Sequence, residues 1–315
     1  MGRGSSLVDS ILEADALSDT SKGQYVEKLA TLQRLVGKPL HWIVAHPAEV
    51  IDALARRYPS PFTQKAFIAA VKAVYRYNPQ LQEQHPEEYR AFTEEQARRG
   101  QVINDRYMSS EPTDRERRNW VAWPDVLRKE RELAASEFGS VDHLLLAMYC
   151  LIDPLRQDFG HVKIVLDKMP AEDANGNFLA IARDASWGSL VLTEYKTQRA
   201  YGRYVRELPA PLLAVIKCSL LKHPRGYLFV DDRGQPYRLP NSFTKFSNRT
   251  LRHIFGKAVT VSLLRHSRIT SIDFNASTPG ELFQTSKNMA HSIGMQQLYR
   301  RRIDAPAEPP PSPAA

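Results

Sequence analysis

The stretch VSLLRHSRITSIDFNASTPGELFQTSKNMAHSIGMQQLYR, residues 261–300, carries three polar groups in a fixed order. They are the guanidinium of Arg265, the imidazole of His291 and the phenol of Tyr299. A phenol becomes a useful nucleophile when neighbouring cationic or basic groups activate it. Within a basic segment, this order predicts a tyrosine that attacks a phosphodiester.

The positive charge of the chain is concentrated around this stretch. The whole chain has a net charge of +8. Residues 241–302 contain ten Lys and Arg side chains against two acidic ones, whereas residues 1–110 contain 14 basic and 13 acidic side chains. A local excess of cations suits a polyanion, because phosphate contacts are the main source of affinity for nucleic acids. Taken alone, the charge also permits a solvated basic face with no ligand.

Length and cysteine content exclude several classes of protein. A chain of 315 residues can bury a full core and is expected to hold two domains. No apolar run reaches the length of a membrane span, and the first residues, MGRGSS, lack the apolar region of a signal peptide. Cys150 and Cys218 are too few and too far apart for a disulfide framework or a zinc site. We therefore expect an intracellular protein with no membrane partner.

The first domain, residues 1–110, is predicted to be all-helical. Apolar stripes predict helices over 21–36 and 47–57, a third that begins at Pro61, and a fourth over 86–108. The first of these is expected to begin at Ser21 as its N-cap. The stretch SSEPT, residues 109–113, is typical of a linker.

The second domain, residues 119–303, mixes helices with strand-like runs. Helices are predicted over 120–135, 141–151, 211–221, 242–255, 263–274 and 280–289, and strands over 162–166, 178–183 and 189–195. The expected fold class is therefore α+β and mostly helical, with a small antiparallel sheet. Residues 304–315 are rich in Pro, Ala and Ser and are predicted to form a disordered tail.

Cleavage of a phosphodiester without a metal sets three chemical requirements. A nucleophile must lie in line, cations must bind the non-bridging oxygens, and an acid must protonate the leaving oxygen. Arginine suits the second task because its planar fork binds two phosphate oxygens and keeps its charge. Lysine suits the third, because burial among arginines can lower its pKa.

The C-terminal two thirds of the chain resembles the catalytic domain of tyrosine recombinases, the phage-integrase superfamily. Within that superfamily it is most similar to integrases of eukaryotic viruses and mobile elements. LRHSRIT, residues 264–270, resembles the Leu-Arg-His-Thr segment of the family, and MAHS, residues 289–292, resembles its Leu-Gly-His-Ser box. The resemblance implies that Arg265 is the second catalytic arginine, that His291 assists it, and that Tyr299 is the nucleophile.

Two further catalytic residues follow from the same resemblance. Arg156, in DPLRQDFG, lies between a buried helix and the first strand, where the family has its first arginine. Lys196, in TEYKT, ends the strand after the Trp187-Gly188 turn, where the family has its general acid. The implied mechanism needs no metal and no other cofactor.

The resemblance also implies how the protein binds and assembles. Residues 1–110 would be the core-binding domain of a C-shaped clamp on double-stranded DNA, joined to the second domain near residues 109–118. Recombination joins two duplexes, so we expect a monomer that forms a homo-tetramer on paired DNA sites. The protein would act at DNA, in the nucleus if the host is eukaryotic and otherwise in the cytoplasm or nucleoid.

Three details depart from the family pattern. Ser262 stands three residues before the second arginine, where the family usually has His. His266 could compensate for this change, or it could pack within its helix. Ala290 stands where the family has Gly. A second Leu-Arg-His string, residues 251–253, lies in the preceding helix and is too far from the MAHS box to replace the first.

Other functions stay open on the sequence. A type IB topoisomerase or a hairpin-forming resolvase would have the same site, and strand transfer between two DNAs would distinguish a recombinase from them. A catalytically decayed, sequence-specific DNA-binding protein is permitted by Ser262. A helical protein–protein adaptor with a basic surface would explain neither the strand hairpin that carries Lys196 nor the concentration of charge.

Overall fold

The chain divides between Ser109 and Ser110 into two compact units. The computed structural model describes residues 7–239 and 241–303, so the predicted tail, residues 304–315, lies outside the described residues. The structure is 58% helical and includes a small four-stranded sheet, which confirms the predicted α+β, mostly helical class. Within the described ranges, none of the helices combines the length and the apolarity that a bilayer crossing requires.

The first unit is helical in its described part. Its helices are α1 (Asp9–Leu12), α2 (Asp19–Val36), α3 (Leu40–Ala45), α4 (Pro47–Arg57), α5 (Pro61–Arg76), α6 (Pro79–Gln84) and α7 (Pro86–Ser109). The sequence pattern identifies α2, α4, α5 and α7, and it misses the three short helices because each is under two turns long.

Local sequence signals set where these helices begin and end. Pro47 and Pro61 occupy the first turns of α4 and α5, where a missing N–H costs no hydrogen bond. Gly37 ends α2 with φ of 66°, a left-handed conformation that glycine adopts without steric cost. The N-cap of α2 is Ser18, whose side chain accepts a hydrogen bond from the Ser21 amide, so the prediction that Ser21 caps this helix is wrong. Both serines have the chemistry of a cap, and the helix begins at the earlier one.

Helix α5 packs against α2 and α7 and forms much of the core of the first unit. The four residues of its predicted apolar stripe are buried: Phe67, Ala70, Val71 and Val74. Tyr75 is also buried, and its hydroxyl donates to the Val44 carbonyl at 2.6 Å. Burial without loss of the hydroxyl hydrogen bond makes this tyrosine a stable core residue.

The second unit contains the sheet and the remaining helices. Its helices are α8 (Asp114–Asn119), α9 (Trp123–Ser136), α10 (Val141–Cys150), α11 (Gln198–Tyr201), α12 (Ala210–Lys222), α13 (Ser242–Phe255), α14 (Val261–Thr270), α15 (Pro279–Asn288) and α16 (Ile293–Tyr299). Its strands are β1 (Lys163–Leu166), β2 (Asn177–Ile181), β3 (Gly188–Leu192) and β4 (Tyr204–Glu207).

The sheet has the order β1-β2-β3-β4. Strands β2, β3 and β4 pair antiparallel, whereas β1 pairs parallel to β2, with Lys163 opposite Phe178. The sheet is therefore mixed, and only its last three strands follow the predicted antiparallel pattern. Strand β4 is absent from the predicted strands because its residues, YVRE, are half-exposed or exposed and include two charges.

Helix α10 forms the centre of the second core. Every residue from Leu144 to Tyr149 is fully buried, and the helix packs against α9, α12 and α13. A helix that is apolar on all sides is stable only when it is covered on all sides. Its end therefore fixes the start of the loop at 151–162, which carries the first candidate site residue.

Candidate active site

Arg156 lies in the loop that follows α10. The hydroxyl of Tyr149, in α10, donates to the Arg156 carbonyl at 2.9 Å and so anchors this loop to the core. The Arg156 guanidinium is half-buried, and its Nη1 donates to the carbonyl of Ala290 at 2.9 Å. The fold thus brings Arg156 beside the MAHS box, 134 positions later in the chain.

Arg265 projects from the middle of α14 and is only 1% exposed. Its Nη1 donates to the Pro154 carbonyl, in the loop that also carries Arg156. Both of its terminal nitrogens lie 3.3 Å from the Met289 carbonyl. Its Nε is buried without a hydrogen-bond partner among the described residues. A buried guanidinium with a free N–H is well placed for an anionic oxygen.

The peptide between α15 and α16 connects these groups. Ala290 has φ of 51°, in the left-handed region that costs a non-glycine residue about 1–2 kcal/mol. This conformation presents its carbonyl to Arg156 Nη1 and, at 3.0 Å, to the hydroxyl of Thr197. Glycine would adopt the same backbone path at lower cost than alanine.

His291 is 2% exposed and is hydrogen-bonded to the second arginine. Its Nδ1 lies 3.3 Å from Arg265 Nη2, and because a guanidinium only donates, Nδ1 accepts. The proton of the neutral ring is then on Nε2, which is buried and has no partner in the described part of the chain. Burial, followed by the charges of Arg265 and Arg156, lowers the pKa of His291 from 6.5 to about 3. The imidazole is therefore a neutral N–H donor at physiological pH.

Tyr299 is the last residue of α16, a short helix capped by Ser292 through the Met295 amide. Its ring lies edge-on to His291, with centroids 5.4 Å apart, and the phenol is half-buried. Burial alone would raise the pKa of the Tyr299 phenol. The charges of Arg265 and Arg156 outweigh burial and leave this pKa below its ordinary value. The phenolate, the form that attacks phosphorus, therefore forms more readily at Tyr299 than at an ordinary tyrosine.

Lys196 lies apart from these four groups. It is exposed, in the connection between the antiparallel strands β3 and β4, and it makes no hydrogen bond or ion pair with any described residue. The next residue, Thr197, is bonded to the Ala290 carbonyl. The side chain of Thr197 thus ties this loop to the site, while the ammonium group of Lys196 stays in solvent.

Ser262, which stands where the family resembled usually has His, and His266 have different surroundings. Ser262 is exposed and lines a pocket of about 280 Å³ together with Glu116 and His266. His266 is half-buried and contacts Tyr299 directly, with its ring stacked on the phenol ring at a centroid distance of 4.7 Å. Ser262 therefore makes no direct contribution to the site, whereas His266 belongs to it.

Sequence reasoning missed two carboxylates beside the site. Asp158 lies close to both Arg156 and Arg265, and burial outweighs their charges, so its pKa is raised. Asp153 accepts hydrogen bonds from Arg268 at 3.1 Å and from Asn288 at 2.9 Å, and so joins the Arg156 loop to α14 and α15. Both residues are in the quoted segment DPLRQDFG, but an acidic residue beside an arginine has no distinctive spacing.

The arrangement has the chemistry of a phosphate site beside a nucleophile. Arg265 Nε and His291 Nε2 are buried donors without partners in the described part of the chain, and such groups cost about 1–3 kcal/mol each when left unpaired. Phosphate oxygens would satisfy both, close to the Tyr299 phenol. Across residues 7–239 and 241–303, no group of three or more His, Cys, Asp or Glu side chains is arranged to hold a metal ion.

The chain has only remote similarity to known proteins. No protein-family model matches it, and no curated protein matches it. Among solved structures, it is similar to one titled "Crystal structure of XerA recombinase", with 15% sequence identity and a TM-score of 0.40 over 95% of this chain and 94% of that chain. Similarity at this level carries no argument about activity, which rests on the site itself.

Proposed function

We propose that this protein is a site-specific DNA recombinase that cuts and rejoins strands through a covalent bond between Tyr299 and DNA. One observation carries the proposal: two buried N–H donors without described partners, on Arg265 and His291, adjoin a phenol whose pKa two arginines lower. A core tyrosine would be expected to have a raised pKa from burial. Here the environment favours negative charge on and beside the phenol.

The reaction proceeds by in-line displacement at phosphorus. The Tyr299 phenol releases its proton to water, its oxygen forms a bond to phosphorus, and the bond from phosphorus to the 5′ oxygen breaks. The products are a 3′-phosphotyrosyl linkage and a 5′-hydroxyl. Arg156 and Arg265 bind the non-bridging oxygens as negative charge builds on them, and the neutral Nε2–H of His291 donates to one of them.

Lys196 is proposed to protonate the departing 5′ oxygen. Its place in the β3–β4 connection supports this role, because that loop is bonded through Thr197 to the peptide that also anchors Arg156. Its exposure means that the loop must bring the ammonium group to the leaving oxygen when DNA binds. The reverse reaction, attack of a 5′-hydroxyl on the phosphotyrosine, then returns the proton to Lys196.

The partner is double-stranded DNA, recognised first by charge. The excess of eight positive charges over residues 241–302 lies in the same part of the chain as Arg265, His291 and Tyr299. We propose that the helical first unit is a core-binding domain that contacts the same duplex. Protomers are expected to be monomers in solution and to form a tetramer on two paired sites. The substrate sequence should emerge from selection of bound fragments from random duplex DNA as an inverted repeat around a short spacer.

A nicked suicide substrate tests the reaction. With EDTA present, the wild-type protein should become covalently linked to DNA, and the linked strand should end in a 3′-phosphotyrosine. Tyr299→Phe should bind the same DNA and give no covalent product, with Tyr201→Phe as a control tyrosine in the same unit. Undiminished linkage by Tyr299→Phe would refute the assignment of the nucleophile. Asymmetric single sites and no joint molecules between two DNAs would instead indicate a topoisomerase or a DNA-binding protein.

A further inference from the structure

The main chain of Tyr299 is held by a residue with no assigned role. His266 Nδ1 lies 2.7 Å from the Tyr299 carbonyl, and the imidazole stacks on the phenol ring with an interplanar angle of 28°. One side chain thus contacts both the backbone and the ring of the proposed nucleophile. The carbonyl at the end of a helix has no partner within its own helix, so this contact also caps α16.

The other nitrogen of His266 faces an ion pair. Arg301 Nη2 lies 3.3 Å from His266 Nε2 and 3.4 Å from the Glu116 carboxylate. Glu116 is itself fixed, because its side chain accepts the Thr113 amide in the capping box at the start of α8. Arg301 is 7% exposed, and its amide donates to Thr270 at the end of α14. The segment that follows the nucleophile is therefore held at several points.

These contacts define the protonation state of the imidazole. A carbonyl only accepts, so Nδ1 carries the hydrogen, and a guanidinium only donates, so Nε2 offers its lone pair. His266 is therefore neutral in this arrangement. Burial and the charges of Arg301 and Arg265 lower the pKa of His266 to about 4, against the opposing effects of the Tyr299 carbonyl and Glu116.

We propose that His266, oriented as a neutral imidazole by Arg301 and Glu116, is a positioning residue that holds the Tyr299 phenol between the two catalytic arginines. This inference rests on the proposed function for its effect on cleavage, but the positioning itself is a property of the free protein. The groups that face His266 are Arg265, Arg301, Glu116 and the Tyr299 carbonyl. Protonation would place a hydrogen on Nε2 opposite Arg301 and break the network.

Two substitutions of His266 test the contribution of its ring and that of its hydrogen bond separately. His266→Phe keeps the stacked ring and loses the donor, whereas His266→Asn places an amide N–H where Nδ1–H was and loses the ring. Phe should slow covalent linkage to a nicked substrate about tenfold, as expected for one lost hydrogen bond, and Asn should retain most of the wild-type rate. DNA binding should be unchanged in both, because neither substitution removes a phosphate contact.

A second readout does not depend on cleavage. Tyrosine labelled with carbon-13 at the ζ position reports ionisation of each phenol by NMR, and comparison with Tyr299→Phe identifies the signal of Tyr299. In His266→Phe the phenol should move away from Arg265 and Arg156, so the pKa of Tyr299 should rise above its wild-type value. His266→Asn should keep the wild-type value. Thermal unfolding of each variant checks that the fold is intact.

Substitution of the residues beside His266 tests whether its imidazole is neutral. Arg301→Gln removes a charge that lowers the pKa of His266, so loss of cleavage on acidification should occur at a higher pH than in the wild type. Glu116→Gln removes a group that raises this pKa and should shift the loss to a lower pH. Arg302→Gln, one position along and exposed, removes the same charge without a contact to His266 and should leave the pH at which cleavage is lost unchanged.

The outcomes distinguish this inference from the proposed function. Suppose that neither the wild type nor any variant links to DNA, but the pKa of Tyr299 shifts in His266→Phe. The positioning role of His266 is then supported, and the recombinase proposal fails. If wild-type protein links to DNA while His266→Phe cleaves at the wild-type rate with an unshifted Tyr299 titration, the positioning role is overturned. Identical acid profiles for Arg301→Gln, Glu116→Gln and wild type would overturn the role of the ion pair.

Discussion

The guanidinium carbon of Arg265 lies 5.2 Å from the centre of the Tyr299 ring. Its positive charge is the larger of the two that oppose the effect of burial on the phenol pKa. The same group is one of the two arginines proposed to bind the phosphate oxygens that gain charge during attack. In the proposed mechanism Arg265 therefore contributes both to activation of Tyr299 and to stabilisation of the transition state, and its substitution should affect both.

Substitution of the two arginines should cost similar amounts of activity and different amounts of stability. Arg156→Ala and Arg265→Ala should each slow covalent linkage by about 10²–10³-fold, as for loss of one donor to a developing oxyanion. Arg265→Ala should also destabilise the fold, because it leaves the buried carbonyls of Pro154 and Met289 without their donor. Single-turnover linkage and urea unfolding measure the two effects. Equal losses in DNA binding and in linkage would mean that these arginines only anchor the backbone.

Lys196 should be needed only when the leaving group needs a proton. Lys196→Ala should slow cleavage of ordinary DNA by about 10²–10⁴-fold, the usual range for loss of an acid. A substrate with sulfur in place of the bridging 5′ oxygen releases a thiolate, which leaves without protonation, so the variant should cleave it at nearly the wild-type rate. Lys168→Ala, an exposed lysine between β1 and β2, is the control. Failure of sulfur to restore cleavage would remove Lys196 as the general acid.

The protein should become less stable as the pH is lowered, because His291 is buried as a neutral ring. Its pKa is about 3 in the folded protein and 6.5 when unperturbed, so between these values the unfolded state binds more protons than the native state. Stability then decreases as pH falls from 6 to 4, by up to about 1.4 kcal/mol per pH unit from this one residue. Urea unfolding at several pH values should give a shallower dependence for His291→Gln than for wild type. Equal slopes would contradict a neutral buried imidazole.

Asp153 should contribute more to stability than an exposed acidic residue. Its side chain is 12% exposed and pairs with Arg268 at 3.1 Å and Arg206 at 3.7 Å. Asp153→Asn should lower the free energy of unfolding by about 1.5–3 kcal/mol, the range for hydrogen bonds to charged groups. Asp125→Asn removes an exposed pair with Arg128 in the same unit and should cost less than about 1 kcal/mol. Similar losses in the two variants would show that Asp153 is only a surface partner.

The sequence predicted the elements with strong periodicity and the residues with distinctive chemistry. Helix α13 was predicted with its observed ends, because its apolar face is pronounced and Gly256 stops it. The fold brings Arg156, Arg265, His291 and Tyr299 together, although their roles as catalytic groups stay predictions. The order of Arg265, His291 and Tyr299 near the C-terminus predicted three members of this grouping, and Arg156 was predicted only from the resemblance to tyrosine recombinases.

Other features depend on tertiary structure that no local pattern encodes. The parallel pairing of β1 with β2 is set by the path of residues 167–176, which has no apolar period. Helix α16 is seven residues long and has one buried residue, Gln296, so periodicity cannot reveal it. The role of His266 depends on Arg301 and Glu116, which are remote from it in sequence and meet it only in the folded chain.

Both arginines of the site donate to main-chain oxygens of the same short segment, Arg265 to that of Met289 and Arg156 to that of Ala290. Every amino acid supplies a carbonyl, so the acceptors survive any substitution at these two positions that keeps the backbone path. Position 289 then tolerates any residue that fits the core. Position 290 tolerates only residues that can adopt its left-handed conformation. Over evolutionary time, the sequence of such a segment can change extensively while the positions of the two arginines are kept.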